Sequence, residues 1–221
     1  MDLLKLKQSM LRVPRSFGPD ENHVAKMATA MLKGYYDNGM FGAMKHWPGS
    51  TDLWRDGHVF KGQSKLTEDD ILNSVIKPYL YAMENANLCG VMSGHGYFPA
   101  IDEKFPSSLS EKIIGILRSK GYDGLIFTDS FAMLGILQRF GEEKCYGLAI
   151  KAGNDMILPN YRTPLKKSYE YLLKAYNDGV FTEDRLNEAV ARVIKAQNFT
   201  LKKASAATVS DYQKECLERI K

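Results

Sequence analysis

Residues 40–58 read MFGAMKHWPGSTDLWRDGH, a small and apolar run that changes character at Lys45. An apolar run that ends in polar residues is the pattern of a buried parallel strand delivering side chains at its carboxyl end. Pro48 and Gly49 then stop the strand and turn the chain. The expectation is that Lys45 and His46 stand at the strand tip, with Asp56 and His58 on a loop that folds back over them. In extended backbone, residues i and i+2 point to one side, so Asp56 can reach one ring nitrogen of His58 and turn the other outward. Such a pair suits proton transfer. On these residues alone two other readings stay open: a D-x-H in a loop is most often solvated surface, and His46, Asp56 and His58 are all metal-ligand types. The ammonium of Lys45 beside His46 argues against a cation, so no metal is assigned.

The same pattern recurs along the chain. Asp20 can cap a helix that runs to about Asp37, where Asn38-Gly39 stops it. Thr67 and Asp70 form a capping-box pair ahead of a helix through Ile71, Val75, Ile76 and Tyr79. LCGVMSGH (88–95) is a second apolar strand and ends in His95; Ser110 then opens a helix that closes at Gly121. GLIFTD (124–129) is a third strand ending in Asp129, with helix-forming FAMLGILQRF (131–140) directly after it. GLAIKAGNDMILP (147–159) gives a helix end and a fourth strand, and amphipathic helices follow at 164–177 and 183–197.

Strands alternating with helices of this length make a parallel sheet with crossover helices. The polar residues fall at strand carboxyl ends: Lys45, His46, His95, Asp129 and the 160–162 segment. Active sites are built on that face of a (β/α) barrel. An open doubly wound sheet would carry a glycine-rich phosphate turn after its first strand, and that turn is absent. The fold expected is therefore α/β, a parallel TIM-type barrel over residues 14–199. Residues 1–13 form a leading segment outside it, and 200–221 a helical tail or the start of a linker. Four strands fall short of eight, and a whole barrel takes about 250 residues, so the first strands are expected to be missing and the stretch to be part of a longer enzyme.

Charge and composition exclude several classes. The 30 basic residues exceed the 26 acidic ones by too little, and too diffusely, to mark a nucleic-acid or anionic-membrane surface. No apolar run approaches the roughly 20 residues of a membrane span, and the first residues, MDLLKLKQSMLRV, do not have the apolar core and cleavage site expected of a secretory signal. Cys89, Cys145 and Cys216 are widely spaced and odd in number, which fits a reducing compartment and a cytoplasmic location. Cys89, in an apolar run, reads as a core residue. No cofactor motif is present, and the residues leave the oligomeric state open.

At this point the motifs resemble those of glycoside hydrolase family 3, in its β-N-acetylglucosaminidase branch. That branch carries K-H-(F/I)-P-G-H-G, four residues, then D-(S/T)-H; Lys45, His46, Pro48, Gly49, Asp56 and His58 match, whereas Trp47, Ser50, Thr51 and Gly57 depart. Its R-S-(F/Y) segment, thirty residues upstream of the lysine, is Arg15-Ser16-Phe17, and its T/S-D-D-L-S-M is TDSFAM with Asp129 at the nucleophile position. The resemblance implies a carbohydrate substrate, Asp129 as nucleophile, His58 as general acid and base, and Asp56 as its partner. Arg15, Lys45 and His46 would hold sugar hydroxyls. A retaining mechanism needs a carboxylate on one face of the anomeric carbon and a proton donor on the other, and an imidazole titrates near neutral pH. Without the resemblance, Asp129 reads first as a helix N-cap and His95 as a packed core histidine; Asp155 is expected to hold a loop together. The β-glucosidases and β-xylosidases of the same family share the K-H and S/T-D motifs and are the alternative, as is a remnant without activity.

Overall fold

The computed structural model describes residues 16–50, 52–53 and 57–203, with side chains to residue 198. Arg15, Asp56 and Cys216 lie outside these residues, as do the 1–13 segment and most of the 200–221 tail. Helix α1 (Glu21–Asp37) begins where Asp20 accepts the amide of His23 at 2.6 Å. Strand β1 (Ala43–Trp47) follows. The Thr67/Asp70 capping box forms as expected and opens one helical run: α2 (Glu68–Asp70), a π turn (Ile71–Val75) and α3 (Lys77–Asn85). Strand β2 (Gly90–Ser93), a 3₁₀ turn at Ser107–Leu109 and helix α4 (Glu111–Ser119), capped by Ser110, come next. Strand β3 (Leu125–Thr128) leads into α5 (Leu134–Phe140) and α6 (Glu142–Ala152), then α7 (Leu165–Asn177) and α8 (Glu183–Lys203).

The three strands are parallel in the order β1-β2-β3, so each crossover lays its helices on one face. Met44, Val91 and Ile126, paired across the sheet, are fully buried on that face, together with Ile71, Tyr79 and Ala82 from the second helical run and Ile113, Ile114 and Leu117 from α4. The arrangement is a run of consecutive β/α units, the staves of a TIM-type barrel.

Three expectations need correction. The fourth strand is reduced to a single bridge, Phe127 with Met156. Asp155 and Met156 donate to the carbonyl of Ile126, but Leu158 turns its amide to the Thr128 hydroxyl at 3.1 Å, which ends the ladder, and Pro159 has no donor to resume it. The helix after Asp129 also starts late, at Leu134. Asp129 accepts the amide of Ser130 at 2.8 Å and the Ser130 hydroxyl accepts that of Ala132 at 3.2 Å, and such local bonds compete with the helix. Asp129 is therefore not the N-cap of α5. Cys89, read as a core residue, is only half buried.

Candidate active site

Strict alternation would send Lys45 and His46 to opposite faces of β1. The register with β2 steps from Lys45–Met92 to Trp47–Ser93, leaving His46 as the extra residue of a bulge. The bulge brings Met44 and Trp47, three apart, onto the same buried face and frees both Lys45 and His46 from it. Trp47, where the motif has an apolar residue, is anchored by an indole N–H to the carbonyl of Ile113 at 2.9 Å and by an edge contact with Tyr79. Gly94, one residue past β2, leaves the space this needs: a Cβ there would lie 3.1 Å from that of His46.

His46 Nε2 stands 3.6 Å from Asp129 Oδ2, with both side chains partly exposed. Beneath them lies His95. Its Nε2 is 3.1 Å from the carbonyl of Ser130 and its Nδ1 is 2.7 Å from the Ser108 hydroxyl. A carbonyl only accepts, so Nε2 carries the hydrogen, and in the neutral ring Nδ1 accepts from the Ser108 hydroxyl. Burial pushes the His95 pKa down, and the nearby Asp129 carboxylate works against that shift without reversing it. Stacked on Phe131 at 5.1 Å, His95 is the floor that holds Ser130, the neighbour of Asp129, in place.

His58 reaches the site from the long loop. Its carbonyl accepts the amide of Leu134 at 2.9 Å, so the loop docks on the first turn of α5. The seat is shaped for bare backbone: a Cβ on Gly135 would run into the carbonyls of Gly57 and Phe60. Gly57, where the motif has Ser or Thr, admits the Met133 methyl, which would stand 3.2 Å from an added Cβ. Lys45, His46, His58, His95 and Asp129 line one cavity of about 160 Å³, and His58 and Asp129 also line a second of about 380 Å³ that opens toward Tyr161 and Arg162. Of the six candidate residues, Lys45, His46, His58 and Asp129 thus share a cleft at the strand carboxyl ends. Met133, Leu134 and Gly135 were not legible as site residues, because only the docked loop gives them a role.

A larger cavity, about 420 Å³, lies at the opposite, amino ends of β2 and β3. Its walls include Phe41, Met83, Cys89 and Tyr122, and its cations Arg192 and Lys195 are paired with Asp123 at 3.2 and 3.1 Å. Among the described residues no group of three or more His, Cys, Asp or Glu is placed to hold a metal ion, and no helix is long and apolar enough to cross a membrane.

Consecutive parallel β/α units with an acid and histidines gathered at their carboxyl ends are the arrangement of a barrel-type domain. The chain belongs to glycosyl hydrolase family 3: residues 4–196 match the family's N-terminal domain. It is 28% identical over 192 residues to a β-N-acetylglucosaminidase/β-glucosidase of Cellulomonas fimi, covering 81% of this chain and 34% of that protein. It is 32% identical over 146 residues to a β-hexosaminidase of Idiomarina loihiensis, covering 65% and 43%. Among solved structures, a family 3 β-N-acetylglucosaminidase from Paenibacillus superposes with a TM-score of 0.81 at 28% identity, over 87% of this chain and 37% of that one. The β-N-acetylglucosaminidase from Thermotoga maritima superposes with 0.79 at 28%, over 90% and 42%. The chain spans less than half the length of these relatives.

Proposed function

We propose that the chain carries the catalytic centre of a retaining glycoside hydrolase that removes terminal β-linked N-acetylhexosamine. The observation that carries this reading is that Asp129 and His58, from elements 71 residues apart in sequence, line the same cleft. In the first half of the reaction an Asp129 carboxylate oxygen bonds to the anomeric carbon as the glycosidic C–O bond breaks, and His58 gives its proton to the departing oxygen. In the second half His58 takes a proton from water, whose oxygen displaces Asp129 and restores the carboxylate. Asp56 is assigned as the partner that orients His58. Arg15, Lys45 and His46 are assigned to sugar hydroxyls, and the 3.6 Å approach of His46 to Asp129 supports a further part for His46 in fixing the nucleophile.

The test is release of chromophore from an aryl N-acetyl-β-glucosaminide. Asp129→Ala should abolish it, and His58→Ala should cost about 10²- to 10⁴-fold, the usual worth of a positioned proton donor. A β-glucosidase is the second reading, favoured by the double name of the Cellulomonas fimi relative. It calls for preference for the aryl glucoside and tolerance of His58→Ala. Turnover of neither substrate would leave a remnant of the fold without its activity.

A further inference from the structure

The 380 Å³ cavity runs from Asp129 and His58 outward to Tyr161 and Arg162. Tyr161 is 76% exposed, yet its loop is tightly held. Glu142, at the start of α6, accepts from the Asn160 amide group at 3.1 Å, the Thr163 hydroxyl at 2.9 Å and the Tyr146 hydroxyl at 2.8 Å. The backbone N–H of Asn160 donates to Tyr146 Oη, and its side-chain oxygen accepts the amide of Arg162, both at 3.1 Å. A fixed loop therefore presents a largely exposed ring at the mouth of the cleft, one face lying under the Arg162 guanidinium at 5.4 Å and the other left for a ligand. Packing does not require a ring there. A fixed aromatic plane beside convergent donors is how a site takes up a ring with one apolar face and polar edges.

We infer that Tyr161 and Arg162 form the leaving-group subsite: the departing sugar stacks on Tyr161, and Arg162 donates to its hydroxyls. This rests on the glycosidase reading above and adds to it the two residues that set the preference for a sugar leaving group. The 160 Å³ cavity around Lys45 and His46 is left for the sugar that is cleaved off.

The experiment compares two substrates in the wild-type chain and in Tyr161→Ala, Tyr161→Phe and Arg162→Ala. One is a β-linked N-acetylglucosaminyl disaccharide, and the other is N-acetyl-β-glucosaminyl fluoride, whose leaving group has no ring. Tyr161→Ala should lower kcat/KM for the disaccharide about tenfold more than for the fluoride, a stacking contact's worth. Arg162→Ala should shift the same ratio in the same direction, and Tyr161→Phe, which keeps the plane, should preserve it. Equal losses on both substrates, or none, would overturn the subsite while leaving the catalytic assignment intact. A wild-type chain that hydrolyses neither substrate would overturn both.

Discussion

Asp129 and Asp155 flank opposite ends of β3 and end in opposite circumstances. Asp155 has a fully buried carboxylate saturated by cations: Arg118 and Arg185 at 2.7 Å, Arg192 at 3.2 Å, and the amide of Ile126 at 2.9 Å. It ties α4, α8 and the end of β3 together at the closed end of the sheet. Asp129 keeps 22% of its side chain open, faces one histidine across 3.6 Å and borders two cavities. A carboxylate enclosed by three guanidiniums has no lone pair to offer a substrate, whereas one set at a cleft beside an imidazole does. On the proposed assignment the two ends of the sheet divide stability from chemistry, as they do in barrels generally.

Substitution should separate the two acids. Asp129→Ala should remove all measurable turnover with little change in thermal unfolding. Asp155→Ala should do the reverse in order of cause: loss of about 3 kcal/mol of stability in denaturant titration, because three cations lose their shared buried partner. An Asp155 variant as stable as the wild type would break the comparison.

A finer test lies at the seat of the His58 loop. Gly135→Ala pushes on the carbonyls of Gly57 and Phe60, and a displacement of about 1 Å at a reacting group costs on the order of 10²-fold in rate. The loss should fall on kcat and be largest for poor leaving groups, which depend most on the proton from His58. Equal loss for good and poor leaving groups would point to a different role for the seat.

The smallest effect expected is from His95. Burial holds its pKa below the ordinary 6.5, so as pH falls the unfolded chain takes up a proton before the folded one. Its contribution to stability is complete above pH 6.5 and is lost as pH falls through the depressed folded value. Unfolding titrations at pH 7.5 and 5 should show the decline, and His95→Gln should flatten it.

Local chemistry was legible in the sequence. Asp20, the Thr67/Asp70 box and Ser110 cap the helices their positions announce, since a cap needs only its own next three residues. The parallel strands and their polar carboxyl ends followed from the apolar runs. What was not legible depends on partners distant in the chain. Nothing in KHW says that His46 is the extra residue of a bulge, because the bulge exists only against β2. MILP is apolar enough for a strand, but the Thr128 hydroxyl that captures Leu158 comes from another segment. Gly135 reads as a weak point in a helix until the loop carrying His58 is laid across it. Asp155 reads in the sequence as a loop anchor; that it gathers three arginines from two helices is visible only in the fold.

The most direct measurement is to trap the intermediate. A fluorinated glycosyl reagent that forms the glycosyl-enzyme but releases it slowly, followed by peptide mass spectrometry, should add one sugar mass to the peptide containing Asp129 and to no other. A label on a different carboxylate, or release of the leaving group with no label on Asp129, would contradict the assignment.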